Sequence, residues 1–350
     1  VLTDGTINVE AVIDVYGLPS VAFTEAPDSG YVKPDKTPGV ITQRIVREAT
    51  YQEIAARTSQ ADRQFIEVTD AGIATIAARP KPTNLNYAIL TKLDSEEYVE
   101  RNNETFAPVA KLLTTVGHYE TVFSFYGAAD IGLVTVGMLA QINNELVRVD
   151  EVTINDAGDT GTITVTRGTV DTLPAAHAAD SLIFFLGENV GTDFREYAMG
   201  EDVYVRLLSN ASGSQLPFSD APEDVVTMVA RQGKPYPPGD VRINSAPAFG
   251  VTSVGASFTV AWTHRDRLLQ VDQIVGHGDA SVGPEAGTTY RLRFYNASGT
   301  LLKTVSSISG TSHSFTSADT DIVGVLTMKL DSQRDGYSSL YAYEFSFTRT

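Results

Sequence analysis

Apolar and polar positions alternate most regularly in the last third of the chain. Phe258, Val260 and Trp262 are interleaved with Thr259, Ala261 and Thr263, and Tyr290, Leu292 and Phe294 with Arg291, Arg293 and Tyr295. Tyr341, Tyr343, Phe345 and Phe347 alternate with Ala342, Glu344 and Ser346. A period of two belongs to strands with one face in a core and the other in water. With Trp262 early and a tyrosine-rich hairpin around Asp335-Gly336 near the end, residues 243–350 are predicted to form a β-sandwich.

The same period, in shorter pieces, marks residues 118–187. MLAQI and ELVRV flank Asn143-Asn144, a pair that tolerates the positive φ of a two-residue hairpin. EVTI and GTITVTRG flank a second turn at 155–160. Ile163 and Val165 then point to one face and Thr164 and Thr166 to the other. These signals predict a compact all-β module. Further strands are expected at 87–93, at VYVRLL (203–208) and in VVTMVAR. A helical period occurs once. Thr50-Tyr-Gln-Glu53 has the form of a capping box, and Tyr51, Ile54, Ala55, Thr58 and Phe65 follow at spacings of one face, which predicts a helix over 51–63. Residues 1–50 are turn-rich and read as loops and irregular strands, while the prolines of KPYPPGD (234–240) mark a domain boundary with a linker at 237–242.

Composition narrows the function classes. A chain of 350 residues with 42% hydrophobic and 20% charged residues has room for two or three domains with real cores. Its net charge of −17 opposes tight binding to nucleic acid and to anionic membrane surfaces. The acidity is uneven, since residues 243–350 carry 8 basic and 9 acidic side chains. The absence of cysteine removes thiol chemistry, disulfides and cysteine-ligated zinc. The longest apolar run, SLIFFL (181–186), has the length of a strand, not of a membrane helix. No secretory signal is visible at the start, and an opening of Val-Leu-Thr without Met reads as a fragment or a processed chain.

Candidate chemistry is sparse. His264-Arg265-Asp266 copies the start of a kinase catalytic loop, but Val271 stands where that chemistry needs an Asn. Its plainer reading is a strand end with charges fraying into solvent. Gly310-Thr-Ser-His-Ser314 is no nucleophile elbow and reads as a sandwich loop. The five histidines, 118, 177, 264, 277 and 313, lack metal-ligand spacing, and Asp156 and Asp159 read as solvated turn residues. No catalytic residue, cofactor or metal is expected. The most punctuated stretch is VTRGTVDTLPAAHAADS (165–181), an Arg-Gly pair, an Asp-Thr, a Pro and a His between two strand-like runs.

That stretch, following INNELVRVD (142–150), resembles a segment of tail-tip or hub proteins of long-tailed bacteriophages and phage-derived gene transfer agents. ETFAPVAKL (104–112) resembles the family's lead-in to an inserted β-domain, and RQGKPYPPGDVRIN (231–244) its linker to a fibronectin-type domain. TVAWTHRDRLLQVDQ (259–273) and GPEAGTTYRLRFYNASGTLL (283–302) resemble strands of that domain. The resemblance spans residues 45–350, with Ala179-Asp180 where the family has Ala-Gly. It implies a mainly β, multidomain fold: a hub-like β-rich domain with one short helix at 1–117, continued by 188–236; an inserted barrel-like domain at 118–187; and a fibronectin type III-like domain at 243–350. It further implies Arg167, Gly168, Asp171, Pro174 and His177 as a structural corner, Trp262 as a sandwich anchor, a homotrimer joined to other tail proteins such as the tail tube and tape measure, a host surface receptor, and a virion protein assembled in the bacterial cytoplasm. An acidic lumen would let DNA pass without sticking. Two other readings stand beside it: a receptor- or glycan-binding adhesin using exposed aromatics such as Tyr337, and an envelope-degrading glycosidase with two unrecognised carboxylates.

Overall fold

A computed structural model describes residues 2–3, 6–7 and 36–350, apart from 68, 156 and 157. The expectation for residues 1–35, and Asp156, therefore lie almost wholly outside the described residues. The chain divides into two units, Val1–Asp35 and Lys36–Thr350. In the first, β1 (Leu2–Thr3) pairs antiparallel with β2 (Thr6–Ile7). The second is mainly β and holds a β-rich part built from strands on both sides of an inserted barrel (the hub, a label of position only), the barrel itself and a sandwich.

The hub begins with β3 (Arg44–Glu48), α1 (Tyr51–Arg57), β4 (Ile73–Ala77), β5 (Asn84–Lys92) and β6 (Val99–Glu104). Helix α1 starts as its sequence dictates. The Thr50 hydroxyl accepts from Glu53 N–H (3.2 Å), and the Glu53 carboxylate accepts from Thr50 N–H (2.8 Å). It stops at Arg57, six residues short of the expected end. Thr58 has extended backbone, and its hydroxyl donates to Ile54 O (2.9 Å), competing with the helical ladder. Phe65 consequently leaves the buried face and is 67% exposed.

The barrel follows: β7 (Val109–Leu112), β8 (Val122–Ala129), β9 (Leu139–Ile142), β10 (Glu145–Ile154), β11 (Gly161–Thr166) and β12 (Leu182–Leu186) close in the order β10-β11-β8-β7-β12-β9. Its first strand starts at Val109, ahead of residue 118. Phe123, Phe125, Ile142, Val147, Val149, Ile163, Val165, Ile183 and Phe185 alternate inward and fill the interior. Asn143 takes φ 52° in the β9–β10 turn, as its hairpin requires. Asp180 takes φ 68°, a left-handed conformation that glycine adopts without a Cβ penalty.

The chain then rejoins the hub through β13 (Asp202–Ala211), β14 (Ser214–Gln215) and β15 (Glu223–Thr227). β13 pairs with β5, so one hub sheet is assembled from strands on both sides of the barrel. The barrel is an insertion in that sheet.

Strand β16 (Gly239–Ile243) opens the sandwich inside the segment read as linker, and Pro235, Pro237 and Pro238 are buried. The prolines join the packed structure rather than hinge it. Next come β17 (Ala246–Pro247), β18 (Ser253–Val254), β19 (Phe258–Thr263), β20 (Thr289–Asn296), β21 (Leu301–Ile308), β22 (Ser312–Phe315), β23 (Gly324–Arg334), β24 (Tyr337–Ser338) and β25 (Tyr343–Arg349). One sheet runs β17-β16-β19-β22 and the other β18-β25-β23-β20-β21, the two-sheet arrangement of a fibronectin type III-like domain. Ser312 to Phe315, read as loop, is thus an edge strand. Trp262 of β19 packs edge-on to Tyr290 of β20 at 5.2 Å, and Phe258, Phe294, Phe315 and Phe347 complete the aromatic core. Residues 264–288 between β19 and β20 form a loop of unusual length for a compact domain, and such loops are usually functional.

Candidate functional site: a buried junction at the barrel corner

The corner of residues 167–177 leaves β11 with every polar side chain committed. The Arg167 guanidinium makes a two-pronged pair with Glu145, Nε to Oε1 and Nη2 to Oε2, both at 2.8 Å. It also donates to the carbonyls of Gly117, Glu120 and Ala175 and lies over the Phe123 ring. Glu145 accepts three further bonds, from Gly168 N–H (2.8 Å), Ala175 N–H (2.9 Å) and His177 Nε2 (2.8 Å). Burial alone would raise the Glu145 pKa, but the bonds from Arg167 and His177 hold it below the ordinary carboxylate value. Asn143 Nδ2 meets His177 Nδ1 at 3.1 Å, so a ring with its proton on Nε2 satisfies both neighbours.

The glycine and the proline have steric reasons. Gly168 sits at φ 55°, and a Cβ there would fall 2.6 Å from Pro174 Cδ. Val170 adopts φ 54° although it is β-branched, a conformation that costs of order 1–3 kcal/mol and persists only where surroundings enforce it. Those surroundings are visible: Val170 is packed with Ile76, Leu146, Phe184 and Tyr236, and Thr169 and Thr172 tie the turn to the backbone of Leu146.

Two other modules meet the corner. From the hub, Arg231 makes a two-pronged pair with Asp171 (2.6 and 2.8 Å) and donates Nη1 to Glu48 O. Glu48 in turn accepts from the backbone N–H of Val229 (2.8 Å) and Arg231 (2.7 Å), although burial still pushes its pKa up. From the sandwich, Arg265 is 3% exposed and its four hydrogen bonds all go to carbonyl oxygens, those of Gly168, Val170, Thr172 and Val275. Burial lowers the Arg265 pKa. Arg267 pairs with Glu285 and donates to Gln232 O (2.8 Å), while Arg334 donates to Gly233 O (2.8 Å) and touches Glu285. Gly276 allows the long loop to lie flat on the barrel, since a Cβ there would collide with Thr166 Cγ2.

Five guanidiniums (Arg167, Arg231, Arg265, Arg267, Arg334) are thus buried or nearly so with five carboxylates (Glu48, Glu145, Asp171, Asp266, Glu285). Such a cluster adds little net stability over an apolar replacement, but removing one member strands its partner at about 3–5 kcal/mol. It acts as a geometric lock. Arg167 and Asp171 belong to it, Gly168 and His177 bond its Glu145, and Pro174 packs against Gly168. Trp262 does not belong to it; it anchors the sandwich core three residues before Arg265. Tyr337 is not a member of it either, but sits on β24 directly opposite its Arg334, half-buried instead of exposed. The reading of His264-Arg265-Asp266 as a fraying strand end is corrected: Arg265 and Asp266 are buried, and the Asp266 carboxylate is occupied by the backbone N–H groups of Leu268 and Leu269. Glu145, Glu48 and Arg231 were not singled out in the sequence. Only Glu145 carried a signal, as an acid at the first position after a hairpin turn, directly before the apolar pair Leu146-Val147.

No family model and no curated protein sequence matches the chain. Among solved structures, the BSP domain of a biofilm associated protein overlaps it with 12% identity and a TM-score of 0.19, covering 70% of this chain and 30% of that one. The FN1–FN3 domains of chicken CNTN1 overlap with 10% identity and a TM-score of 0.21, covering 89% of this chain and 100% of that one.

Proposed function

We propose that the chain is a structural component of a phage-type tail tip, a hub that organises the distal tail in the virion and carries a fibronectin type III-like module towards a host surface. The observation that supports this reading best is the ten-group junction, in which the hub's Arg231 and the sandwich's Arg265 both lock onto the barrel corner. A lock of that kind transmits force and fixes the angle between modules, which a load-bearing assembly needs. In this reading the polypeptide works as a homotrimer with other tail proteins, and its acidity keeps a passing genome from adhering.

Analytical ultracentrifugation with negative-stain imaging tests it. A trimeric mass and an elongated particle of stacked modules are expected. A globular monomer at every concentration, or release of soluble sugar from bacterial envelopes by the purified chain, would overturn it.

A further inference from the structure

Barrel and sandwich also meet along an aromatic seam beside the corner. His118 stacks on Phe249 at 4.0 Å, Phe249 N–H donates to the Tyr119 hydroxyl (3.1 Å), and Phe249 packs against Tyr343 at 5.5 Å. At the inner end lies His277. Its backbone N–H donates to Arg167 O (3.1 Å), its ring Nδ1 is 3.3 Å from the Tyr343 hydroxyl, and Tyr119 lies alongside at 6.3 Å.

We propose that this seam is an acid-released latch, in which protonation of His277 between Arg167 of the barrel and Arg265 of the sandwich loop undocks the sandwich from the barrel. This goes beyond the tail-tip reading and does not depend on it.

The charges around His277 decide the sign. The Arg265 and Arg167 guanidiniums repel a cation there, whereas Asp240 of β16 and Glu145 of β10 attract it. Both attracting groups have prior partners. Glu145 is saturated by its five bonds, and Asp240 is paired with Arg242 (2.9 Å). The uncharged neighbours, Tyr119 and Tyr343, offer hydroxyls but no charge, and Asp279 beside Arg265 accepts from Gly276 N–H (3.0 Å). Burial first, and then Arg265, hold the His277 ring down at about 4 against an ordinary 6.5. Undocking exposes the ring, so one proton is taken up on opening between those values. The docked state is complete above the ordinary value and is lost as pH falls towards the lowered one. His118, also held low by burial, faces Arg167, His177, Glu145 and Glu120. Its stacking on Phe249 offsets part of any repulsion through a cation–π contact, which leaves His277 as the main sensor.

The chain has no cysteine, so exposed Thr153 of the barrel and Ser298 of the sandwich can be replaced by Cys and labelled for energy transfer. In the full chain, transfer should fall reversibly on acidification, the docking constant dropping about tenfold per pH unit between about 6 and 4.5, with far-UV circular dichroism unchanged. His277→Gln, which keeps a partner for the Tyr343 hydroxyl, should hold transfer constant over the same range. Transfer that stays flat in the labelled parent, or that falls only together with loss of circular dichroism, would overturn the latch without involving the variant. An equal fall in His277→Gln would overturn His277 as its sensor.

Discussion

Two arginines buried in the same junction solve burial in opposite ways. Arg167 is neutralised within its own module by Glu145, whereas Arg265 crosses from the sandwich, lies over the Tyr236 ring and directs its hydrogen bonds to the carbonyls of Gly168, Val170, Thr172 and Val275. A carboxylate partner rewards proximity and tolerates small movements. A fan of carbonyls rewards one backbone conformation, because the dipoles converge only when Gly168 and Val170 are left-handed. The first arginine therefore maintains the corner and the second reads it.

That contrast can be broken most severely at Glu145. Glu145→Ala leaves Arg167 and His177 without their shared acceptor and should lower unfolding stability by about 3–5 kcal/mol, measured by guanidinium denaturation. The acid dependence should follow the same residue. With a folded pKa below the ordinary 4.5, Glu145 contributes fully above that value and its contribution is lost as pH falls through the lowered one. Glu145→Gln should therefore flatten the difference in denaturation midpoint between neutral and strongly acidic buffer.

Arg265→Met should act on docking more than on folding. Each module keeps its own core, so denaturation of the barrel is expected to change little while proteolysis within 264–288 accelerates about 30- to 150-fold, about 2–3 kcal/mol of lost docking. Gly168→Ala comes next, with about 1–3 kcal/mol from forced left-handed backbone and the Pro174 contact. If it also speeds cleavage in that loop, the corner's shape is what Arg265 senses. The mildest change is Asp272→Asn, which removes a 2.8 Å pair with Arg63 on an exposed side chain and should shift the midpoint by less than about 1 kcal/mol.

The corner was legible because its signals are local. Gly168 and Pro174 announce a turn by their own stereochemistry, and Ile163 and Val165 announce a strand by period. The hairpin at Asn143 and the capping box at Thr50 are read from neighbours a few residues apart. Arg265 was misread for the opposite reason: an arginine after a strand is by default solvated, and the three carbonyls that bury it lie more than ninety residues earlier. Glu48 and Arg231 are likewise polar by composition and buried only by tertiary packing. The early end of α1 turns on a Thr58 hydroxyl bond that competes with helix continuation, and residue type alone does not say which wins.

The closing pair of the barrel has a consequence for inheritance. Val109, where the chain enters β7, faces Phe184 near its exit from β12. Departure and return are adjacent, so the whole insert can be swapped like a cassette during recombination without opening the hub sheet around it. Any replacement would still have to offer an acid to Arg231 and a matching arc of carbonyls to Arg265, a compatibility filter on which cassettes survive exchange.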